Sequence, residues 1–303
     1  MFANDSACDV AIFQKAYSEQ DISLVSTLAD RGVATILDLS DNHWFNPDGR
    51  EDLTERATRL DRMVASVDLV TVPTEQLKHR VSGNRCSVVD DALEPLSWRY
   101  SLPAVRRPLE RLILGDRIRL VWFGNPGTPA RGFGVVDLGS RMDQLNRFGS
   151  KFPIELTAVS KNEEVIRTHT QHAEFPVRYV PWSFEGIAGL LRQHDICVLP
   201  INRNAFTECK SPNRLILALR LGLPVVADSI PSYEEFSSFV TLDHWQGGLT
   251  AYATRSDVRR QHLRRARAYI SARFGRQQLV IQWMSAISEA LSPDPVRLSD
   301  GDC

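Results

Sequence analysis

Residues 195–236, DICVLPINRNAFTECKSPNRLILALRLGLPVVADSIPSYEEF, constrain the fold more tightly than any other stretch of the chain. Residues 195–201 form a short apolar run ending at Pro200, the pattern of a buried strand that feeds a loop. After the polar loop 202–210 the sequence predicts a helix with Ser211 as N-cap, Pro212 in the first turn and Gly222 just past the C-terminus. Leu215, Ile216, Leu219 and Leu223 supply an apolar stripe that would pack this helix on a sheet, and 224–227 reads as the next strand. The unit is β-loop-α-β, and its loop brings Lys210, Ser211 and Arg214 to a helix start. Free amides and the positive end of the helix dipole attract anions there, so a phosphate or diphosphate is the natural guest. On residue type alone, Lys210 and Arg214 read either as anion ligands or as ordinary solvated charges.

The same alternation runs through the chain. Strands are expected at 10–13, 33–39, 69–72 and 86–89, with helices at 21–31, 54–67 and 75–81. Residues 92–116, with Pro95, Pro103 and Pro108, read as a linker. Strands at 118–123, 154–159 and 177–180 then alternate with helices at 134–148, 162–169 and 184–193, and tail helices follow over 256–291. Two successive βα runs imply two Rossmann-like, doubly wound parallel-sheet domains. The expected division is 1–100, 117–255 and a C-terminal piece at 256–303.

Composition narrows the partners. With 303 residues, 43% of them hydrophobic, a large core is available, and a formal charge of −1 offers no overall basic field for nucleic acid. The five cysteines are scattered without a Cys-x-x-Cys, as expected of reduced thiols in a cytoplasmic protein. The N-terminus lacks a secretory pattern, and no apolar run approaches the ~20 residues of a membrane span. Arginines 255, 259, 260, 264, 265, 267, 273 and 276 read as a solvated helix surface or as a contact for anionic membrane lipid. The histidines show no ligand spacing, and Asp300-Gly-Asp302 sits in a terminal tail, so no metal site is expected.

Further site candidates lie at expected strand ends. Gly124-Asn-Pro-Gly-Thr-Pro-Ala-Arg131-Gly132 is a tight loop whose amides can face an anion, with Arg131 as a fixed charge. Gly132-Phe-Gly134-Val-Val-Asp137 is only half a dinucleotide fingerprint, which argues against an NAD site. Asp41, Asn42 and His43 close the strand at 33–39, and a carboxylate or imidazole there can orient hydroxyls or take a proton; a capped turn with an exposed His is the alternative.

The string from Cys209 through Glu235, with Lys-Ser before the helix, Gly-Leu-Pro-Val-Val-Ala after it and Ile-Pro-Ser-Tyr beyond, resembles the nucleotide-sugar site of GT-B glycosyltransferases of the retaining family 4 kind. The resemblance implies transfer of a sugar from a nucleotide-diphosphate donor, without a metal cofactor, in glycan or polysaccharide biosynthesis. It implies that Gly124, Arg131, Gly132, Lys210, Ser211 and Arg214 hold the diphosphate, and that Asp41 and His43 face the sugar. Trp182, which on residue type alone reads equally as a core side chain, would touch the base; Tyr233 and Glu234 would take ribose or sugar hydroxyls. The family's Glu-x7-Glu pair counts onto Cys209, beside Glu208, and Leu217, so the usual ribose-binding Glu is replaced. The family's opening strand and Gly-rich acceptor loop have no counterpart before residue 10, which implies a shortened acceptor domain. The acceptor, lipid-linked or glycan, is not named by the sequence. A non-catalytic nucleotide-sugar-binding partner with a degenerate GT-B fold and a nucleotide-sugar epimerase are the alternatives.

Overall fold

The computed structural model describes residues 8–96, 117–128 and 132–292. The chain divides into two compact units, the first formed by 1–92, 208–211 and 274–303, the second by 93–207 and 212–273. The tail expected as one C-terminal piece is therefore shared between them.

The first unit holds a four-stranded, all-parallel sheet in the order β1-β2-β3-β4, with β1 Val10–Gln14, β2 Ala34–Asp38, β3 Leu69–Val72 and β4 Cys86–Val88. Parallel sheets need both faces covered. Helices Glu19–Ala29 and Glu51–Ser66 bury Val25, Leu60, Met63 and Val64 with Phe13, Leu37 and Val70. The opposite face meets helix Arg276–Leu291, whose Ala286 and Ala290 lie on Ile36 and Leu69. The helix at Glu19 begins before the expected residue 21 because Ser18 and Asp21 form a reciprocal capping box.

The second unit carries a six-stranded parallel sheet in the order β12-β11-β10-β5-β8-β9. Its strands are β5 Ile118–Phe123, β8 Ile154–Ser160, β9 Val177–Pro181, β10 Ile196–Leu199, β11 Val225–Ala227 and β12 Thr241–Leu242. This is the Rossmann order, in which the chain leaves β5 toward β8 and returns on its other side at β10. The crevice outside the carboxyl ends of β5 and β10 is the switch point, which sequence could not place.

Local differences have local or tertiary causes. The helix expected over 134–148 is broken into Val135–Gly139 and Met142–Gly149. Arg141, at the break, makes a two-pronged contact with Asp228, 87 residues away. A hairpin of β6 Gly127–Thr128 and β7 Phe133–Gly134 precedes it, and a Cβ on Gly127 would lie 2.0 Å from the Phe133 carbonyl oxygen. The helix after β10 spans Asn213–Arg220, with Pro212 rather than Ser211 at the N-cap and no side-chain cap bond. Its C-terminus closes as expected: Gly222 has φ +84°, its N–H donates to Leu219 and that of Leu223 donates to Ala218. Strand β12 and helix Trp245–Thr254 were not legible from periodicity. Arg260, Arg264, Arg265 and Arg267 lie exposed on helix Ser256–Arg273, and none of the described helices is long and apolar enough to cross a membrane.

Asp228 is 2% exposed and accepts from Arg141, the Ile201 amide and the Trp245 indole. Replacing it leaves those donors without their charge partner. Asp228→Ala is expected to lower the unfolding free energy by about 3 kcal/mol, seen as a lower urea midpoint at unchanged slope; a midpoint equal to the unmutated protein's would refute this role.

Candidate functional site

In the second unit, Gly124 directly follows β5 and Arg214 lies in the first turn of the helix after β10. Arg214 Nη1 donates to the Phe123 carbonyl oxygen at 3.2 Å, and a Cβ on Gly124 would fall 2.9 Å from the same nitrogen. Glycine at 124 is what lets the guanidinium lie across the end of β5. Tyr233, 1% exposed, sits beside it: burial raises its phenol, while a hydrogen bond with Arg214 and the guanidinium's charge oppose that rise. Tyr233 is thus closed off from sugar hydroxyls, whereas Glu234 is exposed on the turn Pro231–Glu234.

The surrounding backbone is fixed by a second carboxylate. Asp137, 3% exposed, accepts from the amides of Gly134 and Asn202 at 2.9 and 3.1 Å. Burial pushes its carboxyl up to about 6 despite those two donors and the nearby Arg214. It joins the loop after β5 to the loop after β10. Gly132, at φ +60°, offers its carbonyl to Asn204 Nδ2 at 3.3 Å. Arg131, expected in this loop, lies outside the described residues.

Trp182 follows β9 and is 38% exposed, with Lys161 Nζ 5.2 Å from its ring, so it is not a core tryptophan. It stands two strand positions from β5, roughly 10 Å along the sheet. Leu217, at the position of the family's ribose Glu, is buried at 9% exposure among the apolar residues of its helix.

Lys210 and Ser211 group with the first unit, not with Arg214. The Cys209 carbonyl accepts from Thr74 Oγ1 at 3.0 Å, which ties this segment to the turn after β3. Lys210 Nζ lies 2.6 Å from Asp41 Oδ1, and Lys15 Nζ lies 3.7 Å from Asp41 Oδ2. Two cations thus meet one carboxylate at the ends of β1 and β2. The expectation placed Lys210 on a diphosphate; its near neighbour here is Asp41. Asn42 is buried and closes the turn by accepting from the Trp44 amide.

His43 is half-buried, not merely exposed. Its Nδ1 lies 2.8 Å from the Tyr17 hydroxyl, and Arg56 donates to its carbonyl oxygen at 2.8 and 3.1 Å. Burial, reinforced by Arg56, Lys15 and Lys210 against the opposing pull of Asp41, lowers its imidazole to about 4. His43 is neutral at pH 7, with Nε2 left for a hydroxyl. Lys15 and Tyr17 were missed from sequence; both lie just past β1, where open α/β sheets collect functional side chains.

The structure therefore assembles two groups: Gly124, Arg214 and Tyr233 at the switch point of the second sheet, and Asp41, His43, Lys210, Lys15 and Tyr17 in the first unit.

The chain shares the GT-B fold of the solved structures it resembles. OtsA in its apo form superposes with a TM-score of 0.65 at 12% identity, over 94% of this chain and 73% of that one. Anabaena HepE in complex with UDP and glucose gives 0.65 at 13% identity over 92% and 77%. The UDP-forming trehalose-phosphate synthase from Burkholderia xenovorans gives 0.61 at 10% identity over 93% and 73%. No family model and no curated protein matches the sequence.

Protonating His43 costs more in the folded state than in the unfolded one, so stability falls as pH drops below about 6.5 and goes on falling toward 4. The His43 imidazole resonance is expected to titrate near pH 4 by NMR; a midpoint near 6.5 would show that the ring is not desolvated.

Proposed function

We propose that this protein is a glycosyltransferase that takes a sugar from a nucleotide-diphosphate donor and passes it to a lipid-linked or glycan acceptor, in glycan or polysaccharide biosynthesis. The observation that carries the reading is Arg214, whose Nη1 donates to the Phe123 carbonyl oxygen and lies against Gly124 at the switch point of a Rossmann sheet. A guanidinium beside a helix start there stabilises negative charge as a diphosphate departs. Ser211, Gly132 and Arg131 remain proposed partners of the same phosphates, and Trp182 of the base. A divalent metal is not required in this reading, since cations and amides hold the leaving group. The solved HepE structure contains UDP and glucose, in agreement with a uridine donor.

In the first unit, Asp41 and neutral His43 are proposed to orient sugar hydroxyls and handle the acceptor proton. Lys210 and Lys15 keep Asp41 in a cationic setting. A cytoplasmic site of action, with the exposed arginines of helix Ser256–Arg273 touching anionic lipid, completes the proposal.

Buried Leu217 in place of a ribose-binding Glu favours a second reading, a nucleotide-sugar binder without transfer activity. Calorimetry with UDP, GDP and ADP tests binding, and donor hydrolysis or transfer tests catalysis. Arg214→Ala is expected to weaken nucleotide-diphosphate binding about ten- to hundredfold, as for loss of a charged hydrogen bond, and Tyr233→Phe by less. Asp41→Asn is expected to leave binding within about twofold and abolish turnover, a split between ground-state binding and chemistry. EDTA is expected to change neither. Absence of nucleotide binding at millimolar concentration would sink both readings; binding without any turnover selects the second.

A further inference from the structure

The second sheet has a cavity of about 470 Å³ at the end opposite the Arg214 site. It is lined by Arg117 and Arg119 at the start of β5, Glu155 and Thr157 on β8, Arg178 on β9 and His194 just before β10. Its size falls within the ~300–1,000 Å³ of small-molecule sites. β8 alone spans Ile154–Ser160, so the two ends of the sheet are roughly 20 Å apart.

The lining breaks the rule for a covered parallel sheet, whose faces are ordinarily apolar. Arg119 is in register with Glu155, and Thr157 with Arg178, so these four side chains share one face. The other face carries Leu120, Trp122, Leu156 and Ala158, all buried in the apolar core. Arg178 Nη2 reaches Thr157 Oγ1 at 3.5 Å, and among the described residues neither Arg178 nor Arg117 has a carboxylate within 4 Å. Glu155 forms no ion pair with them despite lining the same space. Even with Asp195, whose Oδ2 accepts from the Arg119 amide at 3.0 Å, counted beside Glu155, the three guanidinium groups outnumber the carboxylates and leave the cavity cationic.

His194 adds a directional polar atom. It is 2% exposed, and its Nδ1 lies 2.9 Å from the Leu190 carbonyl oxygen, which fixes the proton on Nδ1 and leaves Nε2 as an acceptor. Burial, with the fields of Arg178 and Arg119 behind it, lowers this imidazole to about 4, so it is neutral at pH 7. A neutral acceptor beside arginines suits a ligand with a phosphate at one end and hydroxyls at the other.

We propose that this cavity binds a phosphomonoester of sugar size, its phosphate held by Arg117, Arg119 and Arg178 and its hydroxyls by Thr157 and His194. Planar guanidinium groups match phosphate oxygens in pairs, and the volume exceeds what phosphate alone would fill. The site is separate from the proposed donor site and survives that reading's failure.

The test is calorimetry on the full chain with ribose 5-phosphate and with inorganic phosphate. The double variant Arg117→Glu with Arg178→Glu is expected to weaken ribose 5-phosphate binding at least about tenfold, in line with the loss of charge-assisted hydrogen bonds. Arg178→Gln, which keeps size and removes charge, is expected to give a smaller loss in the same direction and guards against misfolding of the double variant. Arg214→Ala, and the control pair Arg264→Glu with Arg265→Glu, are expected to leave this binding unchanged. Inorganic phosphate is expected to bind more weakly than the ester. The proposal is overturned by no binding at millimolar ester, by equal affinity for phosphate and ester, by loss of binding in Arg214→Ala or the control pair, or by unchanged binding in both Arg178 variants.

Discussion

A carboxylate stays ionised in a protein interior only where donors meet its lone pairs, and the second unit is organised around two carboxylates that must be met. Asp228 collects Arg141, the Ile201 amide and the Trp245 indole, which belong to three different segments. Asp137 collects the amides of Gly134 and Asn202. Residues 201 and 202 are thus gripped from two sides as the chain leaves β10. The loop after β10 is thereby held at its start, and the break between helices Val135–Gly139 and Met142–Gly149 falls at Arg141, the residue that meets Asp228. Mutual repulsion with Asp228 adds to the burial that raises Asp137.

The chemistry of the switch point follows from a missing side chain as much as from those present. Gly124 opens the space that Arg214 Nη1 occupies, and the buried Tyr233 lies next to the same guanidinium. A guanidinium pre-set in this way spends little entropy on ordering when it meets an anion. Leu217 shows the same helix serving a different need one turn on. Its side chain faces the core, so apolar burial is gained where a carboxylate would have met solvent or ligand.

In the first unit, electrostatics and burial act on neighbouring groups in different ways. Asp41 sits between Lys210 and Lys15, while His43 next to it is desolvated and held neutral. A carboxylate beside a neutral imidazole is an arrangement in which one group can fix a hydroxyl and the other can exchange a proton. Lys15 reaches this cluster from a left-handed backbone conformation, φ 51°, which is uncommon for a residue with a side chain.

By itself the sequence determined most of the succession of strands and helices as far as residue 227, the parallel α/β class, the glycine stop at Gly222, and the placing of Gly124 at a strand end and Arg214 at a helix start. These follow from periodicity, caps and backbone restrictions that act over a few residues. Sequence placed the helix start one residue early at Ser211, because Pro212 satisfied two readings of the same turn, and it missed Lys15 and Tyr17, which carry no motif. Only the tertiary structure decided the strand order β12-β11-β10-β5-β8-β9, the sharing of the tail helices between two units, the meeting of Lys210 with Asp41 and that of Arg141 with Asp228. Those contacts join residues 169 and 87 positions apart, and no local preference encodes which distant strand a strand will lie beside. That choice belongs to the packing of the whole sheet, where burial of both faces is settled at once.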